Sequence, residues 1–138
     1  MDEDWYKKEQ LHFAAQDGDL AGVEHLVKSG VDVDAFDVVG KTPLHYAAEK
    51  EHCEVAKYLL AHGANVNARH EQTNSNTPLA AIAASCSLQM AQLLVDAGAD
   101  PTIEGWMGLN ALHRAKERKK EEGRRVYELL VRISRRHA

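Results

Sequence analysis

Eight histidines (His12, His25, His45, His52, His62, His70, His113 and His137) and two cysteines, Cys53 and Cys86, are the side chains best suited to hold a metal or attack a substrate. Their spacing supports neither role. The cysteines do not form a Cys-x-x-Cys and have no histidine pair at ligand spacing beside them, so both read as small half-buried hydrophobes. His12, His45 and His113 hold the same place in three sequence repeats, at least one repeat apart, too far to share one ion through bonds of about 2 Å. His52 lies in a loop between helices, and the remaining four are isolated. There is no glycine-rich phosphate loop, Gly-x-Ser-x-Gly or His-Glu-x-x-His, and the acids are scattered over turns and helix exteriors. The expectation is a protein without catalysis, metal, cofactor or small-molecule substrate.

The elements that carry these side chains follow from a repeat. Leu11-His12-Phe13-Ala14-Ala15 returns as Leu44-His45-Tyr46-Ala47-Ala48, drifts to Leu79-Ala80-Ala81-Ile82-Ala83, and returns as Leu112-His113-Arg114-Ala115. The leucine spacings are 33, 35 and 33 residues. Nineteen residues after the first three leucines stand Gly30, Gly63 and Gly98, each opening a similar phrase. A period of this size means stacked supersecondary units.

The local chemistry predicts two helices per unit. Thr42 and Thr77 are N-cap candidates, followed by Pro43 and Pro78 at the first helical position, where no N–H is needed. Leu44, Ala47 and Ala48 form one helical stripe with room for close contact, and Val55, Ala56, Leu59 and Leu60 form the next. Gly63 then suits a left-handed helix end.

The phrase Gly40-Lys41-Thr42-Pro43-Leu44-His45-Tyr46-Ala47-Ala48 resembles the ankyrin repeat signature, and Asn76-Thr77-Pro78-Leu79 is a partial second match. The resemblance covers nearly the whole chain. It implies an all-α ankyrin repeat solenoid, four helix-turn-helix repeats joined by β-hairpin-like fingers. The repeats fall at about 4–36, 37–69, 70–104 and 105–138, the first and last acting as caps. It also implies that the motif histidines tie neighbouring fingers together, and that the function is protein binding.

Composition agrees with one soluble domain, at 44% hydrophobic and 28% charged residues. No apolar run approaches the roughly 18 residues of a membrane span. The acidic start Met1-Asp2-Glu3-Asp4 is no secretory signal, so a cytoplasmic location is expected. Residues 1–113 hold 7 basic and 17 acidic side chains, net −10, and residues 114–138 hold 10 basic and 4 acidic, net +6. An acidic body disfavours nucleic acid as a partner.

Departures from the repeat locate the candidate binding surface. The first unit lacks Thr-Pro and places Trp5 and Tyr6 ahead of a polar stretch, which reads as a capping helix with Trp5 over the first core layer. The finger before the third unit is two residues longer and wholly polar through Arg69–Asn76. In the fourth finger Trp106 and Met107 take the tip places held by Val38 and Val39 in the second. Arg118–Arg125 reads as a charged connection before a last helix with the apolar stripe Val126, Leu129, Leu130 and Ile133.

The expected groove is therefore lined by Phe36, Val38, Val39, Lys41, Thr73, Asn74, Trp106, Met107 and Leu109, over a floor of Tyr46, Glu49, Lys50, Arg114 and Glu117. Its partner would be another protein with a basic rim and apolar centre, bound by a monomer. The alternatives are an inhibitor or immunity-type partner of a toxin or enzyme, by analogy with small bacterial ankyrin proteins, and nucleic-acid binding through Arg114, Arg118, Lys119, Lys120, Arg124 and Arg125.

Overall fold

The structure is a computed structural model that describes the backbone of residues 3–136, with side chains described from Tyr6. The expectation for the Trp5 side chain lies outside the described residues. Eight helices run in sequence among the described residues: α1 (Glu3–Asp17), α2 (Leu20–Lys28), α3 (Pro43–Glu49), α4 (Cys53–Ala61), α5 (Pro78–Ile82), α6 (Leu88–Asp96), α7 (Ala111–Lys116) and α8 (Glu121–Arg136). They form four antiparallel pairs. The first members stack as an inner layer, α1 on α3 on α5 on α7, and the second members as an outer layer, α2 on α4 on α6 on α8. The chain is a solenoid of stacked helix pairs.

Cap chemistry sets the helix starts. The Thr77 hydroxyl accepts from the Ala80 N–H at 3.1 Å, and Pro78 follows at the first helical place. At α3 the Thr42 N–H donates to His45 Nδ1 at 3.0 Å, and the Thr42 hydroxyl lies 2.8 Å from the same nitrogen. At α7 the Asn110 N–H donates to His113 Nδ1 at 3.1 Å, and Asn110 Oδ1 accepts from the His113 N–H at 2.9 Å. A lost cap of this kind costs about 1 kcal/mol. Gly30, Gly63 and Gly98 end their helices at φ +99°, +93° and +98°, conformations that suit glycine.

The stacked stripes make one core. Leu11, Leu44, Leu59, Leu79, Met90, Leu94 and Leu130 are fully buried, with Ala15, Ala47, Ala48 and Ala115 between them. Each such leucine contributes about 2 kcal/mol of transfer free energy.

The fingers are hairpin-like turns without a β-strand among the described residues: Asp37 N–H bonds the Lys41 carbonyl across the second and Gly105 N–H bonds the Leu109 carbonyl across the fourth, both at 2.9 Å. One expectation needs correction: the charged stretch 118–125 is not all connection, because α8 begins at Glu121. Glu121 and Glu122 suit the positive end of the helix dipole, and Arg125 pairs with Glu121 at 2.9 Å one turn on. Gly123 is buried against the Arg118 side chain, which would collide with any Cβ there.

Neighbouring units are tied at both edges. On the finger side, His12 Nε2 bonds the Ala35 carbonyl at 2.8 Å, and His45 Nε2 donates to the Asn76 carbonyl at 2.7 Å. On the loop side, His52 Nε2 meets the Gln16 carbonyl at 3.0 Å, the Ser87 hydroxyl donates to Glu51 at 2.5 Å, and Arg118 donates to the Cys86 carbonyl at 2.8 Å. His113 makes no finger bond. Its ring caps its own helix and is exposed, so the finger-tying role implied for it is not the one it fills.

Burial holds the His45 pKa below the ordinary imidazole value, with the Asn76 bond and the Glu49 charge offsetting only part of it. The unfolded chain therefore takes up this proton more readily than the fold. The contribution of His45 to stability is complete above pH about 6.5 and falls away at lower pH. Urea midpoints of wild type and His45→Gln, measured from pH 7.5 down to 5, should drop more steeply with acid in the wild type. Parallel curves would show that His45 is not a source of the pH dependence.

Candidate protein-binding groove

Four exposed apolar side chains crowd the first half of the groove between fingers and inner helices. Phe13 lies on α1, and Phe36, Val38 and Val39 lie on the second finger, Val38 at 96% exposure. Phe13, Phe36 and Val38 line a cleft of about 640 Å³, completed by Lys8, Glu9, His12, Gln16, Asp37 and Tyr46. Phe13 was not among the expected site residues. It holds the place in the repeat phrase that Tyr46 holds in the next unit, so the register alone could have found it.

The cleft's polar wall is an internal network. The Tyr46 hydroxyl donates to the Asp37 carboxylate, which also accepts from the Lys41 N–H at 2.9 Å and the Val39 N–H at 3.1 Å. Burial works to raise the Asp37 pKa, but these three bonds outweigh it and hold the carboxyl below its usual range. Burial also pushes the Tyr46 hydroxyl up, and Asp37 adds to this, so it remains a donor. Lys41 pairs with Glu49 at 2.9 Å and sits 5.2 Å from the centre of the Tyr46 ring. Three expected site residues, Lys41, Tyr46 and Glu49, are thus bonded within the protein and shape the wall.

The long third finger is polar and braced. Residues Glu71–Thr73 make a single 3-10 turn ended by Asn74 in the left-handed conformation, φ +51°. Arg69 holds the Asn74 side chain at 2.8 Å. His70 packs edge-on against Phe36 with ring centres 5.0 Å apart, and the Thr73 hydroxyl occupies the space a Cβ on Gly40 would need. Thr73 and Asn74 are exposed.

The fourth finger displays Trp106 and Met107 at 55% and 69% exposure. Its base is pinned to the third finger. Trp106 N–H donates to Asn76 Oδ1 at 3.0 Å, and Arg114 reaches the same oxygen at 3.4 Å. Gly105 lies so close to Asn76 that a Cβ would strike the amide oxygen and approach Cα to 3.0 Å. Leu109 is half-buried below, and Lys50 and Glu117 are exposed at the ends of α3 and α7. The groove therefore has two apolar patches separated by the polar third finger.

Burial pushes the Cys86 thiol up to about 11, and burial raises Cys53 as well, so neither is a thiolate near neutrality. Of the six basic residues considered for nucleic acid, Arg114, Arg118 and Arg125 are engaged internally. No helix among the described residues is long and apolar enough to cross a membrane.

Met107 has φ +60° and ψ +22°, a left-handed conformation that costs a side-chain-bearing residue about 1 kcal/mol. Met107→Gly is expected to raise the free energy of unfolding by about that amount in urea titrations. An unchanged value would mean that packing of the methionine side chain offsets the backbone cost.

Comparison with known proteins agrees with this architecture. The family profile described as "Ankyrin repeats (3 copies)" matches residues 2–70, and that described as "Ankyrin repeat" matches 74–106. The chain is 34% identical over 107 residues to palmitoyltransferase AKR1 of Lachancea kluyveri, covering 75% of this chain and 14% of that protein. It is 38% identical over 100 residues to palmitoyltransferase Hip14 of Drosophila melanogaster, covering 72% and 16%. Similarity to the ankyrin repeat and KH domain-containing protein mask-1 of Caenorhabditis elegans is 34% over 97 residues, covering 70% and 4%. The chain thus spans a small fraction of the length of these relatives. Ankyrin repeats are protein-interaction modules, and this chain, matched along most of its length, belongs to the ankyrin repeat family.

Proposed function

We propose that this chain binds a partner protein through its finger tips and inner helix face, without catalysis of its own. The observation that carries the reading is the display of Phe13, Phe36, Val38, Trp106 and Met107 along one groove. Scattered apolar residues on a surface need no explanation, but a row of this kind is costly unless a partner covers it. Trp106 is the residue type most enriched among interface hot spots, and its backbone is fixed by Asn76 before any partner arrives. The likeness to two palmitoyltransferases concerns a segment of each, and transfer chemistry is not part of this reading. The reading also takes the chain as a monomer in the cytoplasm, in keeping with its two free thiols.

A photo-crosslinking residue placed at position 38 or 107 should capture the same protein from an extract of the source cell. One placed at the exposed Lys57 on α4 should not. Capture from all three positions alike, or from none, would remove the groove as the site. With the partner in hand, Trp106→Ala should weaken binding by about 2 kcal/mol while leaving the melting temperature unchanged. A fall of several degrees would instead identify Trp106 as a packing residue.

A further inference from the structure

The two apolar patches are separated by a fixed distance, and that distance has a meaning for what binds. The first is the cleft between α1 and the second finger, walled by Phe13, Phe36 and Tyr46. The second is Trp106 and Met107 on the fourth finger, ahead of α7. From α3 to α7 there are two helix steps in the inner layer. At about 10 Å per step this is about 20 Å, the reach of about six residues of extended chain. Between the patches stands the third finger, whose exposed side chains are polar and held by Arg69 and His70.

Charge adds a second constraint. The finger segments 31–41, 64–76 and 99–110 hold six carboxylates, from Asp32, Asp34, Asp37, Glu71, Asp100 and Glu104, against two cations. Lys41 pairs with Glu49 and Arg69 bonds Asn74, while Asp32, Asp34, Asp37 and Asp100 also accept hydrogen bonds within the protein. It is the net charge of −4, six acids against two cations, that marks the row. The finger row is therefore an acidic edge beside an apolar groove, and the complementary occupant is cationic. A second copy of this chain does not match it. Ten of the chain's 17 cations lie in residues 114–138, where the apolar side chains of α8, Val126, Leu129, Leu130 and Ile133, are buried in its own core.

We propose that the groove takes one extended, cationic segment of the partner, with one apolar side chain in the Phe13–Tyr46 cleft and a second about six residues away against Trp106 and Met107. The residues between the anchors cross the third finger and present Lys or Arg to the acidic edge. The inference rests on the protein-binding reading above and adds the partner's conformation, charge and anchor spacing. Each anchor alone fills a shallow site. Joined by a segment of the right length, the second binds at the high effective concentration set by the first.

The test is a selection of random peptides of about 12 residues, displayed on phage, against the full chain. The expected winners carry two apolar residues five to seven positions apart with an excess of Lys and Arg between them. As synthetic peptides they should lose at least about tenfold in affinity on both Phe13→Ala and Trp106→Ala, and should weaken as salt rises. Both substitutions are at exposed side chains, and circular dichroism of each variant is the check that it folds. Winners with a single apolar cluster, sensitive to only one of the two variants, would overturn the two-anchor inference. So would winners rich in acids, or self-association of the chain that is abolished by Phe13→Ala. If no peptide is enriched but crosslinking from positions 38 and 107 still captures a partner, the extended segment is wrong and the protein-binding reading stands. Failure of both experiments removes both.

Discussion

A helix of five residues, such as α5, cannot persist alone in water, because too few hydrogen bonds follow the cost of nucleation. The inner helices α3 and α7, of seven and six residues, are little better placed. Everything else in this molecule depends on that constraint. Each helix pair is stable only when its neighbours cover its apolar stripe, so the stack must be close and its register must not slip. Alanines at 15, 47, 48, 83 and 115 provide the close approach, all with essentially no exposure. Hydrogen bonds at both edges hold the register, from imidazoles on the finger side and from Glu51, His52 and Arg118 on the loop side.

The stack is not uniform along its length. His12 and His45 bond the carbonyls of the following finger, but in the third unit the equivalent place is Ala80, which is buried and whose side chain has nothing to donate. The joint between the third and fourth units uses other means. Asn76 holds the Trp106 N–H, Gly105 lets the fourth finger close on the third, and Arg118 crosses Gly123 to reach the Ala83 and Cys86 carbonyls between α5 and α6. One amide side chain thus positions the most exposed aromatic residue of the fourth finger. The departure from the repeat and the candidate binding residue are parts of one arrangement, as expected where function competes with repeat regularity.

Along the groove floor, the place after the motif histidine reads Phe13, Tyr46, Ala81 and Arg114. The floor therefore changes from aromatic to small to cationic across four units. The polar groups beside Tyr46 are satisfied by each other. Asp37 receives three hydrogen bonds, and Lys41 and Glu49 neutralise one another at partial exposure. A wall whose charges are already paired gives a partner shape and apolar contact, leaving the net negative charge of the fingers to supply long-range attraction.

The fold and the order of its elements were legible in the sequence, because the relevant interactions are local and repeated. Thr-Pro starts, glycine ends and leucine–alanine stripes each act within a few residues, and repetition made four weak signals into one strong one. The exposure of Val38, Val39, Trp106 and Met107 was legible for the same reason, since a finger tip is a register position. What the tertiary structure alone decided lies between units. Phe13 joins Phe36 in a cleft only when α1 meets the second finger. Trp106 is pinned only where its N–H meets Asn76, 30 residues earlier, and Arg118 reaches the Cys86 carbonyl, 32 residues earlier, only once α7 stacks on α5. These contacts join residues far apart in the chain, and their geometry depends on the stacking of whole helices, which no local pattern of residue types encodes.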